Sequence, residues 1–210
     1  SSSSFYLADS YWNTKDTMNA IKKYKDIIEL GNTEYLEHSL IMLSRYLYDI
    51  KDYNSSNIYY QQLESIASNN SLKREAVIRL MIGFEEVNED LSVKYSEMVL
   101  KMDKVDNRLL ARAKIIIARS DFHNGNYARS AALCDEIVNL TTNKDGSEAL
   151  YMKSYFTYLE EDYEKTEELV FLMAEQYSSN YWIAKGFILL SDVYLKLNNN
   201  YQAKAILESV

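Results

Sequence analysis

Apolar residues crowd this chain in helix-like stretches separated by short polar segments, and the helical period rather than strand alternation organises them. Within those stretches, small residues recur in pairs twelve positions apart: Ala8/Ala20, Ser44/Ser56, Gly83/Tyr95, Ala118/Ser130, Ser154/Thr166 and Ser191/Ala203. Tyr95 alone is large. First members of successive pairs are 36, 39, 35, 36 and 37 residues apart. A period of this length predicts a repeat array. Two antiparallel helices approach closely only where side chains are short, so each pair marks the contact inside one helical hairpin. Larger residues such as Leu7, Tyr11 and Tyr24 then close the core, and stacking buries what one hairpin leaves exposed.

The polar segments place the turns. The first hairpin runs from about Phe5 to Asn13 and from Thr17 to Leu30, with Asn13-Thr14-Lys15-Asp16 between them and Gly31-Asn32-Thr33 at the end. Later turns fall at Lys51-Asp52, Asn88-Glu89-Asp90, Asn124-Gly125-Asn126, Glu160-Glu161-Asp162 and Asn198-Asn199-Asn200. Hairpins join at Ser68 to Ser71, Asp103 to Asn107, Thr141 to Ser147 and Ser178 to Asn180. All connections are short, as between antiparallel helices. No Gly- or Pro-rich linker interrupts them, so residues 1–210 are expected to form a single repeat domain, a fragment of a longer protein. Proline is absent altogether, which favours unbroken helices.

The pattern resembles the tetratricopeptide repeat (TPR): an aromatic, then Leu-Gly, then Tyr, with Ala and Phe in the second helix. Phe187, Leu190-Ser191, Tyr194, Ala203 and Leu207 carry the fullest match, and Leu7-Ala8, Tyr11, Ala20 and Tyr24 a second. Asp52-Tyr53, Asn126-Tyr127 and Asp162-Tyr163 look like the family's turn into its second helix. The third repeat departs at Tyr95, and the family's closing proline is missing throughout. The resemblance covers nearly the whole chain. It implies an all-α fold, a right-handed superhelical α-solenoid of about six helix-turn-helix, TPR-like repeats. Tyr181-Trp182-Ile183-Ala184-Lys185 and Gln202-Ala203-Lys204-Ala205 also resemble TPR proteins of the bacterial cell envelope, implying an envelope or periplasmic setting.

Net charge is −8, and no stripe of Lys or Arg appears, which disfavours nucleic acid as a partner. No run of about 18 uncharged apolar residues exists, so membrane insertion is not expected. Ser1 to Ser4 lack the pattern of a signal peptide. The lone Cys134 excludes an internal disulfide and reads as a small buried hydrophobe. His38 and His123 are the only histidines, and no metal, phosphate-loop or nucleophile motif is present. The acidic runs Glu85-Glu86 and Glu160-Glu161-Asp162 read as solvated surface and turn. The chain is therefore expected to be no enzyme and to need no cofactor or metal.

A second stripe runs along the first helix of each hairpin, at i, i+4 and i+7. Its triads are Phe5/Asp9/Trp12, Ile41/Arg45/Tyr48, Leu80/Phe84/Val87, Ile115/Arg119/Phe122, Tyr151/Tyr155/Tyr158 and Ile188/Asp192/Leu195. The TPR resemblance places this stripe on the concave face. Aromatic residues and arginine are favoured in binding hot spots. Candidate ligand-binding residues are therefore Trp12, Arg45, Tyr48, Phe84, Arg119, Phe122, Tyr151, Tyr155 and Tyr158, with Tyr155, Arg45 and Arg119 the more exposed. The competing reading is packing between neighbouring first helices. The family's basic, Asn-rich carboxylate clamp is not reproduced. The expectation is a non-enzymatic scaffold holding a partner's peptide or helix. A structural spacer or oligomerisation segment, self-associating through the uncapped C-terminal helix, is the alternative. A carbohydrate-binding protein stacking sugars on Tyr151, Tyr155 and Tyr158 is a third. Gly83 opposite Tyr95 also predicts a loose third hairpin over 72–103.

Overall fold

A carboxylate or carboxamide starts most of the second helices. Asp16, Asp52, Asn88, Asp162 and Asn199 each accept a hydrogen bond from the backbone amide three residues on, at 3.4, 3.1, 3.0, 3.0 and 3.2 Å. The structure is a computed structural model that describes residues 2–31 and 33–209. Ser1, Asn32 and Val210, and the readings placed on them above, lie outside the described residues. Twelve helices and no strand occur among the described residues. They alternate as first and second members of six hairpins: α1 (Ser2–Asn13) with α2 (Thr17–Leu30), α3 (Leu36–Asp49) with α4 (Tyr53–Ile66), and α5 (Asn70–Phe84) with α6 (Glu89–Leu100). The rest are α7 (Asn107–His123) with α8 (Tyr127–Leu140), α9 (Lys144–Leu159) with α10 (Tyr163–Gln176), and α11 (Asn180–Lys196) with α12 (Asn200–Leu207). The expected segment from Thr141 to Ser147 is shorter than a loop reading gave it. Asn143 caps α9 through the amides of Asp145 and Gly146, so Lys144 already belongs to the helix.

The small-residue pairs sit where the helices of a hairpin touch. Ala8, Ala20, Ser44, Ser56, Ala118, Ser130, Ser154 and Thr166 are fully buried. In two hairpins the contact is fastened by a hydroxyl. Ser56 donates to the carbonyl oxygen of Ser44 (2.9 Å) and Ser130 to that of Ala118 (2.7 Å). A buried hydroxyl needs such a partner.

The third hairpin follows the same rule in a different register. Its anchors are Met81 and Ser92, whose hydroxyl donates to the Met81 carbonyl oxygen at 2.9 Å. Gly83/Tyr95 is therefore not the anchor pair. Five hairpin turns pass through a residue with positive φ just before the capping residue: Lys15, Lys51, Gly125, Glu161 and Asn198. In those turns the capping amide reaches back five residues, as Asp52 does to Leu47. The third turn would need Val87 there, and a β-branched residue is disfavoured at positive φ. Val87 avoids it, and Asn88 closes on Phe84, only four residues back. One residue is lost from the turn, so the anchor spacing drops from twelve to eleven. With this register the first anchors fall 36, 37, 37, 36 and 37 residues apart, more even than the sequence pattern alone indicated.

The corrected register also reassigns Gly83 and Tyr95. A Cβ on Gly83 would lie 2.3 Å from the Asn57 side-chain oxygen, so its space is taken by α4 and not by Tyr95. Tyr95 is 3% exposed and stacks parallel to Phe84, with ring centroids 5.8 Å apart. The premise for a loose third hairpin, a large residue opposite an empty one, does not hold.

The helices gather into two compact units, one up to Met98 and one from Val99. In the first unit, Ala8, Ala20, Tyr24, Ile27, Leu43 and Leu47 form a core over α1–α3. In the second, Ala111, Ile115, Ala118, Cys134, Ile137 and Met152 form a core over α7–α9. A further cluster around Val170, Leu190, Val193 and Ala203 joins α10–α12. There the first helices α7, α9 and α11 touch one another in sequence, and this row carries the site described next.

Candidate functional site

The predicted stripe divides between the two units. In the first, its members are engaged in packing. Trp12 is half-buried and packs edge-on against Tyr24 and Tyr46. Tyr48 meets Tyr53 and Tyr60 edge-on, and the Arg79 guanidinium lies 4.4 Å over its ring. Asp9 accepts from the Tyr24 hydroxyl at 2.6 Å. Phe84, 7% exposed, belongs to the hairpin core through Tyr95. In the corrected register the stripe passes through Ile78 and Ile82 of α5 and Glu85 just past its end, all half-buried, instead of Leu80, Phe84 and Val87.

Both arginines of the stripe reach across to the next first helix. Arg45 of α3 forms a two-point ion pair with Glu75 of α5, at 2.7 and 2.6 Å. Arg119 of α7 forms the same pair with Glu148 of α9. Glu75 and Glu148 each lie six residues before their hairpin's first anchor, Met81 and Ser154, which supports the Met81 register independently. The Arg45 hydrogen bond holds the Glu75 carboxyl below the usual carboxylate range. Arg45 is exposed, as expected, while Arg119 and Tyr155 are only half-exposed.

In the second unit the row of first helices encloses a cleft of about 470 Å³. From α7 come Arg119, Phe122 and His123; from α9, Lys144, Glu148, Tyr151 and Met152; from α11, Tyr181, Trp182 and Lys185. A recess of about 210 Å³ shares Phe122, Tyr151, Met152 and Lys185 with it and adds Tyr155. Tyr155 packs against Phe122 (5.6 Å between centroids) and Tyr158 (6.2 Å). Five predicted residues thus come together here: Arg119, Phe122, Tyr151 and Tyr155 in the lining, with Tyr158 beside them.

The other half of the lining went unread. Tyr181, Trp182 and Lys185 share one helix face at i, i+1 and i+4, and this spacing was legible. Their ammonium-over-ring geometry with Tyr151 was not, because Tyr151 lies thirty residues earlier. The Lys185 ammonium stands 5.1 Å from the Trp182 ring centroid, 5.3 Å from Tyr181 and 5.5 Å from Tyr151. Burial raises the Tyr151 phenol above its ordinary pKa, and Lys185 works against that rise. Lys144 was missed because its segment read as a loop.

Glu148 is occupied by Arg119, and the buried Cys134 thiol is pushed up to about 12, chiefly by burial. No three His, Cys, Asp or Glu side chains converge to hold a metal among the described residues. No helix among them is long and apolar enough to cross a membrane.

No family model matches this chain, and no curated protein matches it by sequence. Solved structures do match its fold. MamA aligns with a TM-score of 0.60 at 11% identity, covering 79% of this chain and 90% of its own. BtubC (BKLC) from P. vanneervenii aligns at 0.60 and 11% identity, covering 93% and 87%. A tetratricopeptide repeat protein from Parabacteroides merdae spans 99% of this chain and 91% of its own at 11% identity, but its TM-score of 0.47 is too low to bear on the fold. Identities this low speak of fold alone. The fold is the TPR-like array of helical hairpins that the sequence resemblance implied.

Proposed function

Proceeding from a TPR-like array, we propose that the chain is a non-enzymatic interaction scaffold that holds a peptide or helical segment of a partner protein. The anchoring site is the cleft lined by α7, α9 and α11. One observation carries this reading: three successive first helices supply aromatic side chains to the same concavity, and two of them, α9 and α11, add lysines that no carboxylate pairs. Binding hot spots favour such rigid rings, which add contact area with few rotors to freeze. Selection of a randomised peptide library on the full chain tests it. Trp182→Ala and Tyr155→Ala should abolish capture while helicity, read by circular dichroism, is kept. Capture that ignores both substitutions overturns the reading. Arg119→Ala is a poorer probe, because it also strands Glu148.

Self-association is the second reading. It is supported by the exposed Leu195, Tyr201 and Leu207 on α11 and α12, Tyr201 being 86% exposed. Such a face favours a partner surface. Light scattering over a concentration series separates the two. A mass that stays monomeric, and is unchanged by Leu207→Glu, removes self-association.

A further inference from the structure

The charge of the cleft runs against that of the chain. The protein carries −8 overall, yet the cleft presents Lys144, Lys185 and Arg119 against a single carboxylate, Glu148. That carboxylate is taken by Arg119 in a two-point pair. Asp192 lies two turns further along α11, outside the lining. Among the described residues, neither Lys144 nor Lys185 has a carboxylate within ion-pair distance.

Lys185 is held by rings alone. Three aromatic faces within 5.5 Å fix its ammonium over the cleft without cancelling its charge. Ring faces leave its N–H donors without an oxygen acceptor. An incoming carboxylate would gain a charge-assisted hydrogen bond to a pre-positioned donor, and little rotamer freedom would remain to lose. A cationic ligand would meet rings already occupied and like charge beside them.

We infer that the cleft takes an acidic peptide segment: Asp or Glu carboxylates pair with Lys185 and Lys144, and an adjacent apolar or aromatic side chain enters the recess at Phe122 and Tyr155. This rests on the peptide-scaffold reading above and specifies its partner's chemistry.

The test selects a randomised peptide library on the full chain and measures the enriched peptides by calorimetry at low and raised salt. Enriched sequences should be rich in Asp and Glu. They should bind about tenfold or more weakly to Lys185→Gln, as loss of a charged hydrogen bond implies. Binding should be kept by Lys185→Arg, weakened by Lys144→Gln and reduced by salt. Neutral or basic peptides that need Trp182 and Tyr155 but ignore Lys185→Gln overturn the acidic assignment and leave the scaffold reading standing. No selected peptide, or binding indifferent to all four positions, overturns both. A single-stranded oligonucleotide that binds more tightly than any selected peptide overturns the assignment in favour of nucleic acid.

Discussion

The Ser92 hydroxyl donates to the carbonyl oxygen of Met81 at 2.9 Å, and this bond sets the register of the third hairpin. It occupies the place that Ser56–Ser44 and Ser130–Ala118 hold in theirs. Opposite effects follow for two nearby residues. If Tyr95 were the hairpin anchor, a small residue there would be an improvement. As a 3%-exposed ring stacked on Phe84, it should instead cost about 3 to 5 kcal/mol when replaced by alanine. Ser92→Ala should cost about 1 kcal/mol. Urea denaturation measures both, and a neutral Tyr95→Ala would refute the register.

Gly83 offers a second check. Alanine is ordinarily the better helix residue by about 0.5 to 1 kcal/mol. Here the added methyl would meet Asn57, whose side chain is buried with neither amide atom hydrogen-bonded to the protein. Gly83→Ala should therefore destabilise by about 1 to 3 kcal/mol. Asn57→Ala should recover most of that loss, so a double-mutant cycle would read a large coupling between the two positions. Additive effects would mean that the helices do not meet there.

The two arginine pairs should differ in strength. Glu148 is 3% exposed, so Arg119→Ala leaves a buried carboxylate uncompensated and should cost about 3 to 5 kcal/mol. Arg45 is exposed, so Arg45→Ala should cost about 0.2 to 1 kcal/mol. Equal losses in chemical denaturation would contradict the difference in burial.

Glu75 gives a pH signature. Its folded-state pKa is depressed, first by the Arg45 hydrogen bond. The resulting stabilisation is complete above the unfolded-state value of about 4.3 and is lost as pH falls through the lower folded-state value. The melting-temperature gap between the wild-type chain and Arg45→Met should be constant at neutral pH. It should close as pH drops from about 5 toward about 2. A gap that persists at the acidic end would assign the stabilisation to packing of the arginine stem.

Cys134 is fully buried, and burial leads the causes that push its thiol up to about 12. Near pH 8 the folded chain should resist a thiol-reactive disulfide, because almost no thiolate forms and none is accessible. Labelling should track the unfolded fraction along a urea titration. Rapid, stoichiometric labelling of the folded protein would show an open hairpin.

By itself the sequence determined the helices, the turns and their sixfold recurrence. Those features are local: a capping Asp16 or Asp52, an unbroken apolar period and a short polar turn act within a few residues of one another. It also determined five of the six close contacts, because buried small residues such as Ala8 and Ser130 have no other work at that spacing. Tertiary structure decided what depends on the rotation of one helix against another. Removing one residue from a turn turns the facing helix by about 100°. Val87 at a position where the other turns need positive φ is the cue, but only the folded turn shows how the chain answers it. The partners of Arg45 and Arg119, the enclosure of Gly83 by Asn57 and the meeting of Lys185 with Tyr151 all join residues about 26 to 34 positions apart. Such pairings follow from helix stacking, which summed packing forces set and no single motif encodes.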